Sequence, residues 1–148
     1  GRYAVGTAGT YVAKVVDKKV THGKNFVLLS ATLNGFARPS MVAMLEHFMG
    51  NGPIAAWEPI YTGDHSFQMI PLVETAEREA VTVTGNLCTG TDLVLSDGDM
   101  PKMEVGDTVL FPNAGSYAAV ISPMQFASQP KPAQLFLRAD GTVVNTDF

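Results

Sequence analysis

Hydrophobic and polar positions alternate with a period of two over much of this chain, the pattern of half-buried strands. Thr10 to Lys19 puts Tyr11, Ala13 and Val15 on one face, and the phase slips at Val16, which predicts a bulged strand. Thr21-His22-Gly23-Lys24 reads as a turn and Asn25 to Ala31 as a continuous apolar run, so the two segments predict a hairpin with His22 solvated at its tip. Val81 and Val83 alternate with Thr82 and Thr84, and Thr108 to Phe111 is a short apolar strand. Gln134 to Arg138 and Thr142 to Thr146 flank Ala139-Asp140-Gly141, a hairpin signal. Ile54 to Ile60 and Phe67 to Val73 read as further short strands, with Glu74 to Glu79 a charged connector. Helical spacing is clearest from Asn34 to Phe48, where Met41, Met44, Leu45 and Phe48 recur, Pro39 suits an early turn and Gly50 lies beyond the end. The methionines there read as core filler. Many short strands, Gly/Pro punctuation and few helices predict an all-β barrel or sandwich with short helices at its rim.

The stretch from Val81 to Ser128 carries the candidate chemistry. Cys88 stands just before Thr89-Gly90-Thr91-Asp92, which fits a capping box at the start of a short helix. A thiol in that place feels the positive end of the peptide dipoles, which favours the thiolate. Asn113 is placed to cap a second short helix, Ala114 to Ile121, that carries Tyr117 and stops at Pro123. Taken alone, a single cysteine also fits a small buried hydrophobe, and a tyrosine on a short helix fits an amphipathic core residue.

Composition narrows the classes. At 148 residues, 46% hydrophobic and 16% charged, the chain suits one globular domain with a sizeable core. A net charge of −4 with scattered basic residues argues against a nucleic-acid surface. One cysteine rules out an internal disulfide and suits a reducing cytoplasm. No apolar run approaches the roughly 20 residues of a membrane span, and no signal peptide opens the chain. His22, His47 and His65 have no ligand spacing with Cys88, so no metal site is expected. Trp57 reads as a packing residue. A start without Met is expected of a piece of a larger polypeptide.

Five motifs then follow in order: Gly1-Arg2-Tyr3, Cys88-Thr-Gly-Thr-Asp92, Met103-Glu-Val-Gly-Asp107, Asn113-Ala-Gly-Ser-Tyr117 and Ser128-Gln-Pro-Lys-Pro-Ala133. Together they resemble the C-terminal domain of the pyridoxal-phosphate-dependent decarboxylases of the ornithine/diaminopimelate/arginine family. The likeness covers nearly the whole chain and is weakest between about Gly50 and Glu79. It implies a mainly-β, Greek-key domain like the C-terminal domain of alanine racemase, spanning residues 1–148, with the (β/α)8 cofactor-binding barrel and its Schiff-base lysine outside this chain. The cysteine motif argues against alanine racemase itself.

The resemblance also implies roles. Pyridoxal 5'-phosphate serves such enzymes as an electron sink when the Cα carboxylate leaves. Cys88 matches the cysteine that a partner subunit brings near Cα, where it donates the proton or controls where the proton goes. Tyr117 matches a tyrosine that meets the cofactor phosphate or the substrate, and Arg2 the arginine of a phosphate-contacting motif. Arg38, in Arg38-Pro39, matches an arginine for a substrate carboxylate. Thr89 stands at a substrate-binding position that is acidic in many relatives, and Val42 where a tyrosine is expected. Asp92 is a substrate-side candidate too, with a cap and interface role the stronger expectation. The implied function is thus one part of a homodimeric, cytoplasmic amino-acid decarboxylase whose active site is shared between subunits, the domain alone being inactive. Its small amino-acid substrate is left open among diaminopimelate, ornithine, carrier-bound and siderophore-pathway groups. The alternative is a non-catalytic homologue acting as a structural or dimerisation module.

Overall fold

The computed structural model describes residues 1–42 and 68–146, and within them the backbone but not the side chain of Arg2. Eight strands lie among the described residues: β1 (Tyr11–Thr21), β2 (Lys24–Leu29), β3 (Ile70–Leu72), β4 (Arg78–Thr84), β5 (Leu93–Pro101), β6 (Thr108–Phe111), β7 (Leu135–Leu137) and β8 (Val143–Asn145). The first six form one sheet in the order β3-β6-β1-β2-β4-β5, and β7 and β8 pair separately. All pairs are antiparallel except β2 with β4. β6 returns across the sheet to lie beside β1, while the parallel β2–β4 pair interrupts the run of hairpins that a Greek key would need. The main sheet curls into a half-barrel, the mainly-β class that the alternation predicts.

Local chemistry explains the strands. In β1, Ala13 and Val15 face inward while Val12, Lys14 and Val16 are exposed. The predicted bulge lies between Val15 and Asp17, where the pairing with β2 shifts. His22 and Gly23 both take positive φ, 49° and 75°, the primed turn whose twist suits a two-residue hairpin. The second hairpin also forms where expected, with Gly141 at φ 83°.

Valines at 15, 27, 81, 83 and 109 alternate inward and make the core with Leu29, Phe36, Met103 and Phe111. Phe36, Phe111 and Tyr11 meet ring to ring at 5.7–6.4 Å between centroids, closing the barrel end beneath the loops described next.

Three expectations need correction. No helix follows Cys88: residues 85–92 are bends and a turn leading into β5, a strand that the sequence reading did not anticipate. No helix forms over 114–121 either, and Asn113 does not cap one; that segment is bends and turns, with Asn113 at φ 62° and Tyr117 at φ 57°. Helix at the Arg-Pro motif begins at Arg38 rather than Asn34, because 32–35 is a turn closed by Gly35 N–H to Thr32 O at 2.9 Å. Residues 43–48 of the expected helix, the strand expected at 54–60, Trp57, His47 and His65 lie outside the described residues.

Candidate active-site loops

Two loops leave the same end of the sheet. The first, 85–92, joins β4 to β5 and presents Cys88, which is exposed. Gly85 N–H donates to Asp92 O at 2.9 Å and Asp92 N–H to Thr89 O at 3.2 Å, so the loop closes on itself. Leu87 is buried and holds the stem, whereas Thr89 and Thr91 carry the rim with their hydroxyls 2.9 Å apart. No helix N-terminus stands behind Cys88, in contrast to the expected capping box.

Asp92 is the anchor of this loop. It is 2% exposed, and its carboxylate accepts from Leu87 N–H and Leu33 N–H, each at 3.0 Å, and from the Thr32 hydroxyl. It does not reach the Thr89 N–H that a capping box needs. A Cβ at Gly85 would overlap both the Asp92 carboxylate and the Thr32 hydroxyl, so only glycine fits there.

The second loop runs from Pro112 to Ser128 and presents Tyr117, 49% exposed. It is stitched to the start of the chain by Ala114 N–H to Gly9 O (2.9 Å) and Gly115 N–H to Gly6 O (3.0 Å). The approach is close enough that a Cβ on Gly115 would overlap Val5 O. Arg2 begins the four-residue helix Arg2–Val5 just upstream of that contact.

Between the two loops lies the turn 32–38. Thr32 O accepts from Phe36 N–H at 2.6 Å, and Ala37 N–H donates to the Ser122 hydroxyl at 2.9 Å, which in turn donates to Ala118 O at 2.5 Å. The turn therefore touches the Cys88 loop at one end and the Tyr117 loop at the other. Arg38, 3% exposed, follows directly as the first helical residue.

A cavity of about 720 Å³ opens beside this turn, lined by Tyr11, Gly35, Tyr117, Lys131 and the small residues Gly9 and Ala118 among others. Cys88, Thr89, Asp92 and Arg38 are not in its wall. The structure thus gathers Tyr117 with Tyr11 and Lys131, and links the Cys88 loop to them through the turn and through Asn86, whose side-chain amide donates to Gln129 Oε1 at 3.3 Å. Burial pushes the Tyr11 phenol well above its ordinary range, and the nearby Asp92 charge adds to the effect. Tyr11 accordingly stays a neutral hydroxyl in the cavity wall.

The sequence pattern marks Tyr11 only as a strand-face residue and gives Thr32, Gly35 and Ser122 no role. Asn34-Gly35 is a turn dipeptide that marks the place of the turn; nothing local marks the pairing of Thr32 with Asp92, 60 residues apart. Among the described residues no three His, Cys, Asp or Glu side chains gather as a metal set, and no helix is long and apolar enough to cross a membrane.

The model of the pyridoxal-dependent decarboxylase C-terminal sheet domain matches residues 3–115, and the chain belongs to that family. It is 28% identical over 141 residues to the L-glutamyl-[BtrI acyl-carrier protein] decarboxylase of Niallia circulans, covering 93% of this chain and 29% of that protein. It is 27% identical over 137 residues to the diaminopimelate decarboxylase of Helicobacter pylori, with the same two coverages, 93% and 29%. A crystal structure of a Helicobacter pylori diaminopimelate decarboxylase variant complexed with L-lysine superposes with a TM-score of 0.72 at 25% identity, over 98% of this chain and 30% of that one. The chain spans under a third of the length of the relatives it matches.

Proposed function

We propose that this domain supplies one thiol and one phenol to the active site of a pyridoxal-phosphate-dependent amino-acid decarboxylase, completed by a (β/α)8 barrel domain and by a second subunit. The observation that carries the reading is the shared mounting of Cys88 and Tyr117. Both are exposed, on loops at one end of the sheet, and both loops are hydrogen-bonded to one turn.

The residues suit the cofactor. The cavity wall includes two phenols and the Lys131 ammonium, hydrogen-bond donors for a phosphate ester. When bound, pyridoxal phosphate supplies the electron sink for loss of the carboxylate. Tyr117 donates its hydroxyl to the phosphate or the substrate, and Arg2 is assigned the phosphate as well. Arg38 is assigned a substrate carboxylate on its Arg-Pro motif alone, since it is 3% exposed and stands outside the cavity wall. Cys88, exposed on a fixed loop, delivers the S–H proton to Cα or blocks its delivery to the wrong atom.

Thr89 bears on the substrate. Its hydroxyl, paired with Thr91, is neutral and cannot hold a distal ammonium as a charge. This favours an amino acid whose far end is uncharged or attached to a carrier, as in the glutamyl-carrier relative, over a diamino acid.

The test uses the full-length protein with pyridoxal phosphate, screened for carbon dioxide release from meso-diaminopimelate, ornithine, lysine and carrier-bound glutamate. Release from one of these, lowered in a Cys88→Ala variant or with altered placement of the Cα proton, supports the reading. A protein that neither absorbs at the wavelengths of a lysine-bound cofactor nor releases carbon dioxide is a structural homologue instead.

A further inference from the structure

Proton delivery by a side chain demands that its place be fixed to a fraction of an ångström, and an exposed loop does not fix itself. What holds the Cys88 loop is Asp92. A carboxylate is acceptor-only, with about four lone-pair sites, and three are engaged here: Leu87 N–H on Oδ2, and Leu33 N–H with the Thr32 hydroxyl on Oδ1. The Leu87 amide is adjacent to Cys88, whereas Thr32 and Leu33 open the turn that ends at Arg38. The one side chain thus spans the gap between the thiol's loop and the arginine's turn, and Gly85 leaves room for it.

We propose that Asp92 is a positioning residue, its carboxylate fixing the Cys88 loop against the turn 32–38 and so setting the thiol's place relative to Arg38. The inference rests on Cys88 being the proton-handling group. Asp92 touches no substrate in this arrangement, because its carboxylate is buried and already accepts from the chain's own donors. An amide could not replace it. Asparagine has a single acceptor oxygen, so its NH₂ would face either the Leu87 or the Leu33 N–H.

The experiment uses the full-length protein loaded with pyridoxal phosphate and the variants Asp92→Asn, Thr32→Val and Thr32→Ser, with Cys88→Ser in parallel. Hydrogen exchange is followed in peptides covering 85–92 and 32–38, and kcat and KM on the amino acid that releases carbon dioxide. Asp92→Asn and the milder Thr32→Val are expected to speed exchange about tenfold in both peptides together, the loss of roughly one hydrogen bond. They lower kcat by about tenfold while KM stays within about threefold, and Thr32→Ser, which keeps the hydroxyl, behaves as the parent. Unchanged protection in 85–92, faster exchange spread evenly over the chain, or wild-type kcat in a protein that Cys88→Ser impairs would each overturn the proposal. If Cys88→Ser leaves kcat untouched, the role of the thiol fails separately. The paired loss of protection then still upholds Asp92 as the clamp between loop and turn, and its absence still overturns it.

Discussion

The Cys88 loop and the Tyr117 loop leave the same end of one sheet and are held by opposite means. The first is eight residues fastened from inside by a buried carboxylate that three donors share. The second is about twice as long and fastened from outside, through main-chain bonds to Gly6 and Gly9 and one serine hydroxyl. It also carries four non-glycine residues at positive φ: Asn113, Tyr117, Ala127 and Ser128. Tyr117 thus adopts a backbone region that disfavours side chains by about 1–2 kcal/mol. The comparison teaches that the two functional groups differ in what keeps them in place: polar burial for the thiol, close backbone packing for the phenol.

Substitutions can break each mounting separately. Asp92→Ala is expected to have the largest effect. It leaves two amides and a hydroxyl without their acceptor in a buried place, destabilising by about 3 kcal/mol or more, read as a lower denaturant midpoint. Next comes Gly115→Ala, whose new methyl would overlap Val5 O. A loss of about 1–3 kcal/mol is expected, with faster exchange in peptides around 112–122 and none in 85–92. A parent-like exchange pattern in that variant would show that the glycine contact does not hold the Tyr117 loop. Ser122→Ala removes the hydroxyl bridging Ala37 N–H and Ala118 O and should lower stability by about 1 kcal/mol.

The smallest effect at neutral pH concerns Tyr11, which lies between the two loops. Its phenol titrates higher in the folded state than in the unfolded chain, so the unfolded state loses its proton first as pH rises. That contribution is present in full below pH about 10, the ordinary phenol value, and is lost progressively above it. Tyr11→Phe should therefore flatten the alkaline fall in stability, measured by denaturation at a series of pH values. An unchanged slope would mean that burial and Asp92 do not act on this group.

The strands were legible because alternation and turn residues are local. Ala13 and Val15, Val81 and Val83, and the Gly23 and Gly141 turns each declare themselves within a few positions. The two expected helices were not legible for a physical reason. Thr89-Gly90-Thr91-Asp92 has the composition of a cap, but Asp92 finds its partners at Thr32 and Leu33, far away in sequence. The segment 114–121, interrupted by Gly115 and Ser116, is too short to hold a helix without help. Strand β5 was hidden by Asp97-Gly98, where Asp97 takes φ 48° and its N–H bonds the Thr82 hydroxyl at 3.2 Å, a bulge that breaks the alternation. Of the candidate site, Cys88, Tyr117 and Arg38 were visible as motif residues. The turn that connects them was not, since its bonds join segments that only folding brings together.

Asp92 grips Leu87 and Leu33 by their amides, groups that every amino acid except proline carries. No side chain of residues 88–91 takes part in that grip, so an altered residue at 89 loses its hydroxyl's bonds to Thr91 and leaves the Asp92 fastening intact. A scaffold built this way permits point changes at the rim while the frame beneath persists.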